Sequence, residues 1–127
     1  MGDRQEMMQA FEAAMKSGDF GALTGLVQEY ATDDFVQEWP QSGERIRGRD
    51  NAMAINQNYP GFPTSTVRRV LAAGDLVTSE VVLDYGGQIY QGVSVFEFRD
   101  GRIVMETDYF AQPFQAPSWR ARWVERT

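Results

Sequence analysis

The stretch SVFEFRDGRIVMETDYFAQPF, residues 94–114, decides the fold. It holds two runs rich in β-branched and aromatic residues, and an Asp-Gly pair stands between them. Such a pair between two β-rich runs is a strong signal for a tight hairpin. Because side chains alternate along a strand, Glu106, Asp108 and Phe110 share one face. The sequence therefore predicts a final hairpin with two carboxylates and a phenyl ring on one face.

Further turn signals divide the second half of the chain. Glycine-containing pairs at Gly74-Asp75 and Gly86-Gly87 separate three β-rich runs, and Asp100-Gly101 separates the last two. Consecutive strands joined by tight turns form an antiparallel meander. The predicted strands lie at residues 65–73, 75–85, 88–98 and 102–110.

The first half has the apolar spacing of helices. We predict two helices, 3–17 and 20–30, with Asp19 as the N-cap of the second. A strand, a short strand or loop, and a third helix follow, at residues 33–39, 43–49 and 51–58, with Asp50 as the third helix's N-cap. Helices before a long antiparallel sheet define an α+β fold, here in one domain spanning residues 1–127.

Composition removes much of the usual catalytic repertoire. The chain of 127 residues has no cysteine and no histidine. It therefore lacks a thiolate nucleophile, an imidazole base and the ligands of a zinc-cysteine or histidine site. Carboxylates, Tyr, Ser, Thr, Arg and a single lysine remain. We expect no cofactor and no metal.

Charge and hydropathy bear on the partners. The net charge of −6 argues against a nucleic-acid partner, because phosphate contacts need a basic surface. No apolar run approaches the roughly 18 residues of a membrane span, and the polar N-terminus does not resemble a signal peptide. We expect a cytoplasmic protein that does not bind membranes. The tail holds Trp119 and Trp123, and it is either a short amphipathic helix or an extended arm on the sheet.

The order of elements resembles the nuclear-transport-factor-2-like superfamily, and within it the SnoaL-like domains. The resemblance is carried by SGDFGAL, YATDDFVQEWP, GERIRGRD and SVFEFRDGRIVMETDYFAQPF. It implies a cone-shaped fold in which N-terminal helices pack on a curved antiparallel sheet. It also implies a deep apolar pocket for a small organic ligand, usually in a homodimer. Ketosteroid isomerases, limonene-epoxide-hydrolase-like enzymes, polyketide cyclases and non-catalytic binders share this fold, so the fold alone does not define a function.

Family roles can be carried over only by position. The Tyr, the Asp base and the protonated Asp of ketosteroid isomerases fall on Phe11, Trp39 and Ser94, so that mechanism is not kept. The final-strand Asp of limonene-epoxide-hydrolase-like enzymes matches Asp108, whereas their Arg and its partner are lost. Glu38 lies close to family pocket positions.

Two interpretations stay open. In the first, Asp108 and Glu38 are catalytic carboxylates for proton transfer or water activation. Two carboxylates held together in an apolar pocket raise the pKa of one of them, which suits acid–base work. In the second, the carboxylates pair with nearby arginines, such as Arg47, Arg49 or Arg68, and the protein binds a ligand or another chain without catalysis. The predicted substrate-binding residues are Trp39, Tyr85, Phe96, Phe98, Glu106 and Phe110.

Overall fold

The structure is a computed structural model that describes residues 2–127, with the side chains of residues 2–5 and 7 left out of the description. Helices come first and strands follow. The elements are α1 (Gly2–Lys16), α2 (Phe20–Tyr30), β1 (Ala31–Trp39), β2 (Glu44–Arg47), α3 (Arg49–Gln57), β3 (Thr64–Ala73), β4 (Leu76–Tyr85), β5 (Gln88–Arg99), β6 (Arg102–Ala111) and a 3₁₀ helix (Ser118–Trp123).

The strands form one six-stranded sheet in the order β2-β1-β6-β5-β4-β3. The pairing from β3 to β6 is antiparallel throughout, so the predicted meander is confirmed. β1 inserts beside β6 as the parallel neighbour and carries β2 at the sheet edge. The last hairpin therefore lies in the middle of the sheet, and the carboxylates of β6 are flanked by strands on both sides.

The turn between β5 and β6 has the backbone that the Asp-Gly signal predicts. Asp100 and Gly101 both have positive φ, 53° and 75°. Positive φ at both central residues matches the right-handed twist of the flanking strands. Farther along the hairpin, the register shifts between Glu97 and Phe98, which marks a β-bulge. This shift decides which face of β6 meets the cavity.

The helical hairpin is joined to the sheet by a close backbone contact. Asp19 caps α2 as predicted, and its carboxylate accepts a hydrogen bond from the Ala22 amide at 3.0 Å. Gly18 has a φ of 75°, and a Cβ there would lie 2.9 Å from the carbonyl oxygen of Ser65. Glycine is required at this position because both the backbone conformation and the space exclude a side chain.

The predicted starts of the first strand and the third helix are each two residues late. The first strand begins at residue 31 rather than 33. The third helix begins at Arg49, and its N-cap is Gly48 with no side-chain cap, so Asp50 is not the cap. Asp50 instead lies in the first helical turn, where a negative charge suits the helix dipole.

The core lies between α1 and the middle strands. Phe11 and Ile103 have no exposed surface, and Phe11 meets the ring of Phe96 edge-on at 4.7 Å. The tail forms a 3₁₀ helix whose Trp119 and Trp123 are exposed, so neither indole packs on the sheet. No helix within residues 2–127 is long and apolar enough to span a membrane.

Candidate functional site

A cavity of about 740 Å³ lies between the sheet and the helices α2 and α3. Its wall is formed by the inner face of the sheet on one side and by residues of α2 and α3 on the other. The wall is mostly apolar and rich in aromatic rings. These rings belong to Phe20, Phe35, Trp39, Tyr59, Tyr85, Tyr90, Phe96 and Phe110.

Most of the predicted lining residues lie where the sequence placed them. Five of the residues predicted to bind substrate line the cavity, namely Trp39, Tyr85, Phe96, Glu106 and Phe110. That they contact a substrate stays a prediction.

Phe98 is an exception, and its predicted place in the pocket is wrong. It is 7% exposed and belongs to the core, where its ring stands edge-on to Phe11 at 6.4 Å. Strand β5 runs past the end of the cavity and under α1, so the inward-facing residue there packs against a helix.

Asp108 is buried in the cavity wall with three hydrogen-bond donors around it. Its side chain is 3% exposed. Oδ2 accepts from Gln37 Nε2 at 2.7 Å and from Trp39 Nε1 at 3.0 Å, and Oδ1 accepts from Ser94 Oγ at 2.6 Å. All three donors are neutral, and they occupy most of the acceptor positions that a carboxylate has. The arrangement holds the carboxylate in one orientation.

Strand register explains why these donors meet Asp108. Ser94 lies directly opposite Asp108 on β5, and Gln37 pairs with Glu106 on β1. Neighbouring strands on both sides thus point a polar side chain at the same carboxylate. Among the described residues, no arginine forms an ion pair with Asp108 or Glu106. The predicted alternative of carboxylate–arginine pairing is therefore wrong for both residues.

Glu106 completes a carboxyl pair on the same face. The amide of Gln37 also donates to Glu106 Oε2 at 3.2 Å, so this one amide bridges both acids. Burial, then the negative charge of Asp108 and a hydrogen bond to its carboxyl, raise the pKa of Glu106 well above its ordinary value of 4.5. Glu106 therefore keeps its proton over a range in which an exposed glutamate has lost it. The pair can hold a proton donor beside a proton acceptor.

Glu38 does not join this pair, and the prediction that it faces the cavity with Asp108 is wrong. Side chains alternate along β1, so Gln37 and Trp39 point into the cavity while Glu38 points away. Its carboxylate binds Arg45, its partner across β1 and β2, with distances of 2.8 Å to Nε and 2.7 Å to a terminal nitrogen. A strand bulge that would turn Glu38 inward is absent from the pairing of residues 36–39.

Tyrosine hydroxyls supply polar groups to another part of the wall. The hydroxyls of Tyr59 and Tyr85 are 2.6 Å apart, and the ring of Tyr85 stands edge-on to Tyr90 at 5.5 Å. Burial, followed by the hydrogen bond and the charge of Tyr59, raises the pKa of Tyr85 above its ordinary value. Tyr90 in turn accepts a hydrogen bond from Gln112 Nε2 at 2.8 Å. These hydroxyl groups line the cavity and can hydrogen-bond to a bound molecule.

The wall contains one cationic side chain among the described residues, Arg49 at the start of α3. Its guanidinium donates to the Ala31 carbonyl at 3.2 Å and to Asp33 Oδ1 at 2.8 Å. Arg49 thus has partners of its own. Among the side chains that the structure describes, no three acidic groups gather as metal ligands.

Sequence reasoning gave no role to Gln37 or to the Tyr59–Tyr85 contact, and it noted Ser94 only as the residue aligned with the protonated Asp of ketosteroid isomerases. Gln37 carried a signal. It lies two residues before Trp39 on the same strand, so an inward Trp39 requires an inward Gln37. The alignment of Ser94 with a family pocket position was a signal, but its place opposite Asp108 could not be predicted because it depends on the bulge in β5 and β6.

Replacing Glu106 with glutamine is expected to remove a pH-dependent loss of stability. The pKa of Glu106 is higher in the folded protein than in the unfolded chain, so the folded state holds more protons between those two values. The free energy of unfolding of the wild type then falls as pH rises from about 4.5 through the folded pKa, by about 1.4 kcal/mol per pH unit. Urea unfolding at a series of pH values measures this slope.

The matched control for this experiment is Glu38→Gln. It removes a carboxylate from the same sheet but leaves Glu106 in place. The free energy of unfolding should therefore depend on pH as it does in the wild type. If Glu106→Gln and the wild type lose stability in parallel as pH rises, Glu106 does not hold its proton in the folded state.

The sequence matches the SnoaL-like domain family over residues 8–106, and the chain belongs to this family. No curated protein sequence matches it significantly. The family assignment agrees with the helices, the sheet and the cavity described above.

Solved structures support the same fold. An NTF-2-like protein of unknown function from Burkholderia xenovorans is 38% identical, with a TM-score of 0.78, over 99% of this chain and 96% of that chain. A protein from Kribbella flavida, described as a "putative ketosteroid isomerase", is 31% identical, with a TM-score of 0.82, over 96% and 90%. An LEH-like epoxide hydrolase from M. tuberculosis is 28% identical, with a TM-score of 0.59, over 87% and 84%. The predicted NTF2-like α+β fold is confirmed.

Proposed function

We propose that the protein is a cofactor-independent enzyme that transfers a proton on a small, largely apolar organic molecule bound in the cavity. The observation that carries the proposal is the carboxyl pair of Glu106 and Asp108, which faces the cavity without an arginine partner among the described residues. The similarity to an isomerase-like and an epoxide-hydrolase-like structure supports an acid–base role.

The two acids divide the work between them. Asp108 accepts a proton from a carbon next to a carbonyl group, and Glu106 gives its own proton to the carbonyl oxygen. The C–H bond breaks, its electron pair forms the carbon–carbon double bond of an enol, and an O–H bond forms on oxygen. Return of a proton to a different carbon would yield an isomer. If water takes the place of the carbon acid, the same pair would activate it for hydrolysis.

Exchange of carbon-bound hydrogen tests the proposal without knowledge of the final product. A panel of cyclic ketones and enones is incubated with the protein in D₂O, and loss of the α-proton signal is followed by ¹H NMR. Wild type should exchange at least one panel member faster than buffer does. Glu106→Gln should slow that exchange because it removes the acid, while Glu38→Gln should leave it unchanged because Glu38 points away from the cavity.

The opposite results would remove the enzyme proposal. Exchange no faster than in buffer across the panel counts against catalysis at carbon. Equal rates in wild type and Glu106→Gln would exclude Glu106 as the acid.

A second candidate, a non-catalytic ligand-binding protein, has one observation in its favour. Asp108 already accepts hydrogen bonds from three side chains, and such saturation is also what a structural carboxylate shows. In that case, ligands would bind in the cavity and be released unchanged.

Assembly and location stay predictions. A homodimer is supported by apolar residues on the outer face of the sheet, where Val93 and Tyr109 are paired across β5 and β6 and are 38% and 46% exposed. Burial of such a patch against a second copy would remove it from water. A cytoplasmic location, and the absence of nucleic-acid and membrane partners, also stay predictions.

A further inference from the structure

The cavity contains acidic groups that have no cationic partner among the described residues. Its charged side chains, among the described residues, are Glu106, Asp108 and Arg49. Arg49 is bound to Asp33 and to a backbone carbonyl, whereas the carboxyl pair is bound only by neutral donors. A buried negative charge without a cation is costly, and the cost is reduced by a proton or by a positive ligand.

The rest of the wall suits a positive ligand. Trp39 lies against the carboxyl pair, since its indole nitrogen donates to Asp108 at 3.0 Å. Phe96 and Phe110 neighbour the pair on β5 and β6, and further rings line the cavity beyond them. The faces of aromatic rings carry negative charge density and attract ammonium groups.

We propose that the cavity selects an organic cation, such as a substituted amine or quaternary ammonium compound, whose positive head lies beside Glu106 and Asp108. Its apolar substituents contact the surrounding rings. This inference rests on the cavity being the ligand site, as in the proposed function, but not on any turnover there. An anionic ligand would meet the carboxyl pair with like charge, and a neutral one would leave its charge without a partner.

Choline and its uncharged carbon isostere dimethylbutanol separate charge from shape. The two molecules share the hydroxyl group and the three methyl groups, and they differ in the central atom of the head. Binding is measured by NMR titration of the full chain at neutral pH. Choline should bind on the order of tenfold more tightly than the alcohol. The anion dimethylbutyrate should bind more weakly than either.

Variants identify the part of the wall that is responsible. Asp108→Asn should reduce the preference for choline over its isostere, because it removes the carboxylate of the pair. Glu106→Gln should abolish the rise of that preference with pH, because glutamine has no proton to lose. Glu38→Gln, on the opposite face of β1, should preserve both. Glu106→Gln keeps the size and the hydrogen-bonding groups of the side chain, so it remains informative even if Asp108→Asn disturbs folding.

The pH dependence of choline affinity is an independent test of the carboxyl pair. Choline has a permanent charge, so changes in its affinity report on the protein. The titratable and charged groups that line the cavity are Glu106 and Asp108 on β6, Arg49 on α3, Tyr59 after α3, Tyr85 on β4 and Tyr90 on β5. Choline affinity should rise with pH as Glu106 loses its proton, and the affinity of the alcohol should stay flat.

Several outcomes would overturn the inference. Choline that binds no better than the alcohol, or does not bind at all, contradicts it. So does a choline preference that survives in Asp108→Asn at full strength, or one that still rises with pH in Glu106→Gln. These outcomes are distinct from failure of the proposed enzyme. If α-proton exchange occurs without a preference for choline, the acid–base proposal stands and the cation site is excluded. If choline is preferred but no exchange occurs, the cation site stands and the enzyme proposal fails.

Discussion

Asp108→Asn is expected to lower the rate of catalysed α-proton exchange by about 10²–10⁴-fold, the usual contribution of a positioned general base. The asparagine amide keeps the shape of the side chain but cannot accept the substrate proton. The neighbours make the loss more severe, because Gln37, Trp39 and Ser94 all donate to this carboxylate. An amide NH₂ group turned toward these donors would displace them. The rate is read from the ¹H NMR exchange assay at saturating substrate.

Ser94→Ala is the matched control for Asp108→Asn. It removes one donor to Asp108, at 2.6 Å, but leaves the base and its two other donors in place. Both variants should lose stability, since hydrogen bonds to a charged group contribute about 1.5–3 kcal/mol. Only Asp108→Asn should lose most of the exchange. If the two variants slow exchange equally, Asp108 acts by holding the wall together and not as a base.

Glu106 and Asp108 face the cavity because of the β-bulge between β5 and β6, which the turn residues do not predict. With Arg99 opposite Arg102, a regular hairpin would continue with Ser94 opposite Thr107. The register shift near Glu97 moves every later pair by one residue, and Ser94 then meets Asp108. A shift of one residue exchanges the two faces of a strand. The Asp-Gly turn predicted the hairpin, but not which face of β6 would be buried beside Phe96.

Glu38 lies between two residues that face the cavity, but its own side chain faces the opposite side of the sheet. Its neighbours Gln37 and Trp39 point to Asp108, while Glu38 points to Arg45 on the edge strand. The sequence contained the alternation that places Trp39 and Glu38 on opposite faces. Family positions suggested Glu38 as a base, and local strand geometry was the better guide.

Phe96 and Phe98 show the limit of alternation as a guide to pockets. Both face inward, yet only Phe96 lines the cavity, because α1 covers the far end of β5. The point at which helices stop covering a sheet depends on how three separate elements pack together. Alternation within one strand carries no information about it, so the sequence could name inward residues but not the border between core and cavity.

Phe11→Ala is expected to cost about 3–5 kcal/mol of the free energy of unfolding, as large-to-small changes of buried aromatic residues do. Phe11 has no exposed surface, and its ring meets Phe96 at 4.7 Å and Phe98 at 6.4 Å, both edge-on. Removal of the ring leaves a cavity behind the wall that Phe96 presents to the ligand site, and it also removes two aromatic contacts.

Urea unfolding followed by circular dichroism measures this loss, with Phe114→Ala as the control of equal chemistry. Phe114 is 79% exposed, so its removal should change the free energy of unfolding by less than about 0.5 kcal/mol. The urea concentration at the unfolding midpoint should fall for Phe11→Ala. The slope of the free energy of unfolding against urea concentration should stay similar, because unfolding exposes nearly the same surface as in the wild type. A loss below about 1 kcal/mol would mean that α1 does not pack on the sheet as described.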